Sequence, residues 1–271
     1  MYVLQFYQFH PIIEEELFSV KEWFYEKCVE NELKGLILIA TEGINLSVSG
    51  SKLALIRFLN ECYQAPYPLK KETRVRIMET EVEAYKKLVV KIKKQIIPFP
   101  VEVDLKLNQN RYIKPEDFHQ LMLNDQALPV DTRNDYEWLV GAFRNAEKFP
   151  ITKFRNLPEQ ISWFRDIYEK NHNHKKKKIV LYCTGGIRCE KVTPFLVLQG
   201  FDVYQLEGGI LDYFQTIHHE QEHFWEGECF VFDERYTILP NFKKGNTKAC
   251  IMCGQPIVKQ KCVHCGNIQI A

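Results

Sequence analysis

Ile179-Val180-Leu181-Tyr182, followed by Cys183-Thr184-Gly185-Gly186-Ile187-Arg188-Cys189-Glu190-Lys191, constrains this chain more than any other stretch. The first four residues are a short apolar, β-branched run, the pattern of a buried strand. After the turn, Val192, Phe195, Leu196 and Leu198 recur at helical spacing and stop at Gly200. A cysteine therefore stands at the carboxyl end of a strand, in a turn that opens a helix. Gly185 and Gly186 let backbone N–H groups point inward, the helix N-terminus adds partial positive charge, and Arg188 adds a full one. All three favour thiolate over thiol, so Cys183 is expected to be a reactive nucleophile with a lowered pKa. The plainer alternative is a buried cysteine beside an ordinary strand-to-helix turn.

Spacing narrows the chemistry. Four residues separate Cys183 from Arg188, one fewer than in the loop with which cysteine phosphatases wrap a tetrahedral phosphate. The shorter cradle suits a bound sulfur atom. It resembles the active-site loop of the rhodanese family, Cys-x-x-Gly-x-Arg, which carries a persulfide on its cysteine. Two more pieces match that family: Asp131-Thr132-Arg133 after the run Ala127-Leu128-Pro129-Val130, and Leu206-Glu207-Gly208-Gly209 beyond the helix. Gly141-Ala142-Phe143-Arg144-Asn145-Ala146 departs from it, with alanine where histidine is usual and asparagine for the second glycine. Asp131 and Arg133 are expected to support the loop as an ion pair bracing the strand end, with a direct part in catalysis the alternative. Strands alternating with helices predict a parallel sheet whose sites lie at the carboxyl ends of its strands.

With 271 residues there is length for two domains, and a net charge of +1 leaves no global field toward nucleic acid or membrane. The N-terminus lacks the basic lead and long apolar core of a signal peptide, and the apolar runs are only strand-length, so no membrane partner is expected. Nine cysteines, four of them in two Cys-x-x-Cys pairs, point to metal and thiol chemistry in a reducing cytoplasm.

Residues 1–96 carry the order β-α-β-β-α-β, the ferredoxin-like or acylphosphatase-like arrangement. Leu17, Val20, Trp23, Phe24 and Cys28 mark the apolar face of its first helix, and Leu53, Ile56 and Leu59 that of its second. Cys28 and Cys62 are expected in the core. Between Lys70 and Lys94 stand nine Lys/Arg against four Glu, and in the last strand Lys87, Lys91 and Lys93 alternate with Leu88, Val90 and Ile92. Such a lysine stripe either tracks a phosphate backbone or is a solvated face guarding an edge strand. Residues 97–109, with Pro98-Phe99-Pro100, are expected to be a linker, 110–225 the second α/β domain, and 226–271 a C-terminal extension.

In that extension, Cys250-x-x-Cys253-Gly254 and Cys262-x-x-Cys265-Gly266 form a paired-knuckle pattern. Four thiolates at this spacing suit a closed tetrahedral zinc site of structural type, with disulfides or free thiols the alternative. His219 and His223, one helical turn apart in His218-His219-Glu220-Gln221-Glu222-His223, are better explained as a polar helix end than as metal ligands. No dinucleotide glycine fingerprint for a flavin or nicotinamide is present.

Three stretches together carry a wider resemblance: Gly35-Leu36-Ile37-Leu38-Ile39-Ala40-Thr41-Glu42-Gly43-Ile44-Asn45, the Cys183 loop with its trailing Cys-Glu-Lys, and Gly227-Glu228-Cys229-Phe230-Val231-Phe232-Asp233-Glu234-Arg235. The chain resembles the rhodanese-domain tRNA uridine hydroxylases, which use molecular oxygen to make 5-hydroxyuridine at the wobble position. The resemblance implies that Cys183 is essential and that Arg188 and the loop residues Thr184, Gly185, Gly186 and Ile187 hold its anion. It also implies that Lys87, Lys91 and Lys93 help grip the anticodon arm of a tRNA. Cys189 either resolves an oxidised Cys183 or packs beneath the loop. The redox cofactor is left open, and a sulfurtransferase drawing on a sulfur donor is the alternative function.

Overall fold

The computed structural model describes residues 1–174, 176–217, 223–258 and 260–266. Its chain forms two compact units, one of residues Met1–Pro98, Phe232–Arg235 and Phe242–Lys244, the other of Phe99–Val231, Tyr236–Asn241 and Gly245–Ala271.

In the first unit the elements are β1 (Tyr2–Phe9), α1 (Leu17–Glu30), β2 (Lys34–Ala40), β3 (Gly43–Gly50), α2 (Lys52–Cys62), β4 (Arg76–Glu79) and β5 (Leu88–Ile92). The sheet runs β4-β1-β3-β2-β5, antiparallel except that β5 lies parallel to β2. This is the expected ferredoxin-like unit with a fifth strand on one edge. Strict alternation in β1 and β3 puts Leu4, Phe6, Leu46 and Val48 into the core, where Phe24 and Phe58 of the two helices meet edge to face at 6.2 Å. Burial of each such aromatic contributes about 1.5–3 kcal/mol.

The apolar face of α2 differs from expectation. Leu53 and Ile56 are 68% and 41% exposed, while Leu55, Phe58 and Cys62 are buried. Both sets recur at helical spacing, and contact with the sheet selects the one that carries the phenylalanine. Ile92 is likewise 41% exposed at the end of the edge strand β5, although Leu88 and Val90 pack against the core. The distant segment Phe232–Arg235 joins this unit through the Glu234 N–H, which donates to the Ala84 carbonyl at 3.0 Å. Its Asp233 and Arg235 form a fully buried ion pair at 2.6 Å.

The second unit contributes β6 (Tyr112–Ile113), α3 (Pro115–Leu123), β7 (Ala127–Asp131), α4 (Asp135–Val140), β8 (Gly141–Phe143), β9 (Glu147–Lys148), α5 (Ile161–His174), β10 (Lys178–Tyr182), α6 (Cys189–Leu198), β11 (Tyr204–Leu206) and α7 (Gly209–Ile217). Its sheet, β6-β11-β10-β7-β9, is parallel throughout. Tyr182 lies in register with Asp131, so the turns after β10 and β7 emerge side by side at one carboxyl edge. The segment expected to link the domains carries Phe99, which is 1% exposed and packs on Phe154 and Phe195 at 5.4 and 5.7 Å.

Short pairs complete this unit: β12 (Trp225–Gly227) on β8, β13 (Cys229–Phe230) on β14 (Thr237–Ile238), and the antiparallel trio β15 (Lys248–Ala249), β16 (Pro256–Val258) and β17 (Lys261–Cys262). Trp225 opposes Phe143 in β8 and meets its ring edge to face at 5.1 Å. Asn145 explains the departure from the rhodanese pattern. It adopts φ +59°, the left-handed conformation a glycine would take and asparagine tolerates best among other residues. Among the described residues no helix is long and apolar enough to cross a membrane. His218 and His219 lie outside the described residues, and His223 accepts a hydrogen bond from the Trp225 N–H at 3.2 Å.

Candidate active site

Cys183 leaves β10 fully buried, with Thr184 and Gly186 buried beside it and Gly185 and Ile187 at the partly exposed rim. Gly186 takes φ +97°, which turns its N–H onto the Cys183 Sγ at 3.1 Å. The backbone amides of Arg188 and Cys189, at the start of the following helix, also favour its anion. Burial alone would push this thiol up. The Cys189 side-chain hydrogen bond, the Arg188 charge and the two amides outweigh burial and hold it well below the usual thiol range.

The other thiols outside the four-cysteine cluster go the opposite way. Burial pushes Cys28 and Cys229 up to about 12 and raises Cys62 as well. Cys189 is raised by burial and then by the Cys183 anion, to which it donates, and its sulfur lies 3.6 Å from Thr132 Oγ1. In this state Cys189 is a donor packed beneath the loop. One thiolate, not two, is built into the site.

Arg188 is held by a residue absent from the sequence-derived site. Its two terminal nitrogens donate to the two carboxylate oxygens of Glu137 at 2.7 and 2.8 Å, and one also donates to Thr184 Oγ1 at 3.2 Å. Glu137 is fully buried at the third position of α4, where the Asn134 N–H donates to its carboxylate at 3.1 Å. An Asn-x-x-Glu capping pattern is visible in the sequence; its pairing with an arginine 51 residues away is not. Arg188 thus orients and biases the loop while its own charge is largely matched by Glu137.

Asp131 and Arg133 form the neighbouring buried pair. Arg133 donates through Nε and one terminal nitrogen to Asp131, the latter at 2.6 Å, and that nitrogen also donates to the Gly141 carbonyl at 2.7 Å. The guanidinium lies over the Trp225 ring at 5.1 Å. Behind the loop, Ile210 and Leu211 at the start of α7 donate to the Cys183 and Thr184 carbonyls, each at 3.0 Å. Gly209 makes that approach possible. It takes φ +65°, and a Cβ there would lie 2.3 Å from the Cys183 carbonyl oxygen and 2.9 Å from the Gly186 nitrogen. The first turn of α6 is tied down through Glu190, whose carboxylate accepts from Asn108 at 3.0 Å and Tyr112 at 2.8 Å.

Cys250, Cys253, Cys262 and Cys265 come together in the tail, their sulfurs all within 4.8 Å of one another. The pairs Cys250–Cys265 and Cys253–Cys262 stand 3.7 and 3.4 Å apart, close to the roughly 3.8 Å expected around a metal with bonds of about 2.3 Å. The two turns match: Gly254 and Gly266 both take φ +71° and donate to the Cys250 and Cys262 carbonyls. These four cysteines could hold a metal ion.

The three lysines belong to the first unit, and Cys183 to the second. Lys87, Lys91 and Lys93 are exposed, and the first two line a surface groove of about 520 Å³ with Lys21 and Tyr25 of α1.

A parallel α/β domain with a Cys183-type loop, joined to an acylphosphatase-like domain, is the class this fold and site define. Residues 1–96 match the UPF0176 acylphosphatase-like domain and residues 114–216 the rhodanese-like domain. Among curated relatives, a tRNA uridine(34) hydroxylase of Agrobacterium fabrum is 38% identical over 88% of this chain and 74% of its own. Proteins of that name from Brucella ovis and Picosynechococcus sp. are each 36% identical, covering 95% and 94% of this chain and 82% and 83% of theirs. The chain belongs to the tRNA uridine(34) hydroxylase family.

Proposed function

We propose that this chain is a tRNA-modifying oxidoreductase that hydroxylates uridine 34 to 5-hydroxyuridine in the cytoplasm, and that the reaction depends on Cys183. The similarity to tRNA uridine(34) hydroxylases along nearly the whole chain supports the substrate and the reaction. The observation that carries the site is the Gly186 N–H held 3.1 Å from one buried sulfur, in a loop whose Arg188 is fixed by Glu137. That cradle stabilises an anion at the sulfur position. Arg188 and Glu137 set the loop, Asp131 and Arg133 brace the strand beside it, and Gly209 lets α7 hold it from behind.

Molecular oxygen is the oxidant in this proposal, one atom entering at C5 of the base and the other leaving as water with two electrons and two protons from an external reductant. Lys87, Lys91 and Lys93 contact the phosphates of the anticodon arm. The four tail cysteines hold zinc, which when bound supplies the folding energy of a segment with little apolar core. Four thiolates leave no open position on the metal, so it is structural.

The test uses cells lacking this protein, with and without it restored, grown under oxygen gas of heavy isotope. Nucleoside mass spectrometry should find one heavy oxygen in the hydroxyl of uridine 34 only when the protein is present. Sulfurtransfer is the outcome to set against this, since the rhodanese-like domain is shared. Hydroxylated uridine unchanged and thiolated uridine lost would overturn the proposal in favour of sulfurtransfer.

A further inference from the structure

The cysteine knuckle does not hang free of the catalytic unit. Tyr136 of α4 meets Phe230 at 5.2 Å, Phe230 meets Tyr236 at 5.0 Å, and the Tyr236 hydroxyl donates to the Gly254 carbonyl at 2.8 Å. Strand β16 also packs against α4. Since α4 carries Glu137, the partner of Arg188, the knuckle is fixed to the helix that sets the Cys183 loop.

Its exposed chemistry is unusual. Ile251 and Met252, 85% and 71% exposed, fill the tip of the first turn. His264 is exposed at the tip of the second, and Lys248 and Lys261 are exposed on the flanking strands. Residues 245–271, the part of the tail that belongs to this unit, contain three lysines and no aspartate or glutamate side chain. A zinc ion with four thiolates carries two negative charges, which leaves the segment positive. Apolar and aromatic tips that a bound metal would lock, flanked by Lys248 and Lys261, match what unpaired RNA needs: faces for splayed bases and charge for the backbone. The neighbouring Glu228 carboxylate is taken up by Thr237 and by the Asn246 and Thr247 amides. A protein partner of acidic character would satisfy the lysines but not bring bases to the tips.

We propose that the knuckle is an RNA-contacting surface of the catalytic unit, with Lys248 and Lys261 on phosphates and Ile251, Met252 and His264 against unpaired bases beside the modified position. This rests on the tRNA reading above. It adds a second grip, distinct from the lysines of the first unit.

Fluorescence anisotropy of the full chain with a labelled anticodon-arm hairpin, across a salt series, tests it. Lys248→Glu with Lys261→Glu should lower affinity roughly tenfold or more and reduce the salt slope by about 1.4, two single-strand phosphate contacts. Ile251→Ser with Met252→Ser should lower affinity about fivefold or more while leaving the slope unchanged. Zinc content and the Cys183 thiolate absorbance, measured on the same samples, should match wild type and thereby show that each variant is folded. If wild type binds the hairpin and both folded variants bind it equally well, the knuckle proposal is overturned and the tRNA reading stands. If wild type does not bind the hairpin even at low salt, the tRNA reading fails and the proposal falls with it. Tail-dependent binding to phosphatidylserine vesicles, with tail-independent binding to the hairpin, would also overturn it.

Discussion

Replacing Glu137 by glutamine is the substitution that most sharply separates the roles of charge and packing at the loop. The side chain keeps its shape and one acceptor, but Arg188, 5% exposed, loses the carboxylate that meets it at 2.7 and 2.8 Å. Removing one partner of a buried pair costs about 3–5 kcal/mol, and the retained amide places this case near the lower figure, about 3 kcal/mol. Against a typical total of about 5–15 kcal/mol that is a large share. Urea unfolding followed by tryptophan fluorescence reports on the right unit, because Trp138, Trp163 and Trp225 lie there and only Trp23 lies in the other. The same variant should move the Cys183 thiolate titration further down, since Arg188 then lacks its main counter-charge and the sulfur is the anion left beside it. Arg188→Gln should move it up. Unchanged stability in Glu137→Gln, or a thiolate titration that rises in it, would refute this assignment of Glu137.

Other outcomes follow from the same geometry. Cys183 has a folded pKa depressed below the unfolded value of about 8.5, so its contribution to stability is complete above that value and is lost as pH falls through the folded one. The unfolding free energy of wild type relative to Cys183→Ser should shrink as pH falls across that window. Gly209→Ala forces a side chain into φ +65° and against the Cys183 carbonyl; it should cost at least about 1–3 kcal/mol in chemical denaturation and diminish the thiolate absorbance near neutral pH. Asn145→Gly should leave thermal unfolding nearly unchanged, whereas Asn145→Ala should destabilise by about 1–2 kcal/mol, because only the alanine resists the left-handed backbone. Chelation should release one metal ion per chain and open residues 245–266 to protease while the sheet around β10 stays folded.

What could be read along the chain was what is local. Strand, cysteine, glycines, arginine and helix follow one another without a break, so the Cys183 loop and its amide cradle were expected from spacing alone. The two Cys-x-x-Cys-Gly turns were legible for the same reason. Glu137 was not, because its partner comes from a different strand-to-helix turn and the two meet only when β7 and β10 pair in register. Gly209 appeared as part of a matching motif, but its reason, a backbone passing within van der Waals contact of the loop, exists only in three dimensions. The face of α2 was misjudged because Leu53 and Ile56 repeat at the same spacing as Leu55, Phe58 and Cys62. Nothing in Phe232–Arg235 announces that it packs with the first unit while its chain neighbours stay with the second.

The most direct measurement is tRNA nucleoside mass spectrometry in cells lacking this protein and carrying wild type, Cys183→Ala or Cys189→Ala from the same promoter. Equal protein levels, checked by immunoblot, are required for the comparison. Wild type should restore 5-hydroxyuridine at position 34, Cys183→Ala should leave it absent, and Cys189→Ala should restore part of it by losing one of the donors to the sulfur. Full hydroxylation by a well-expressed Cys183→Ala protein would contradict the claim that this cysteine carries the chemistry.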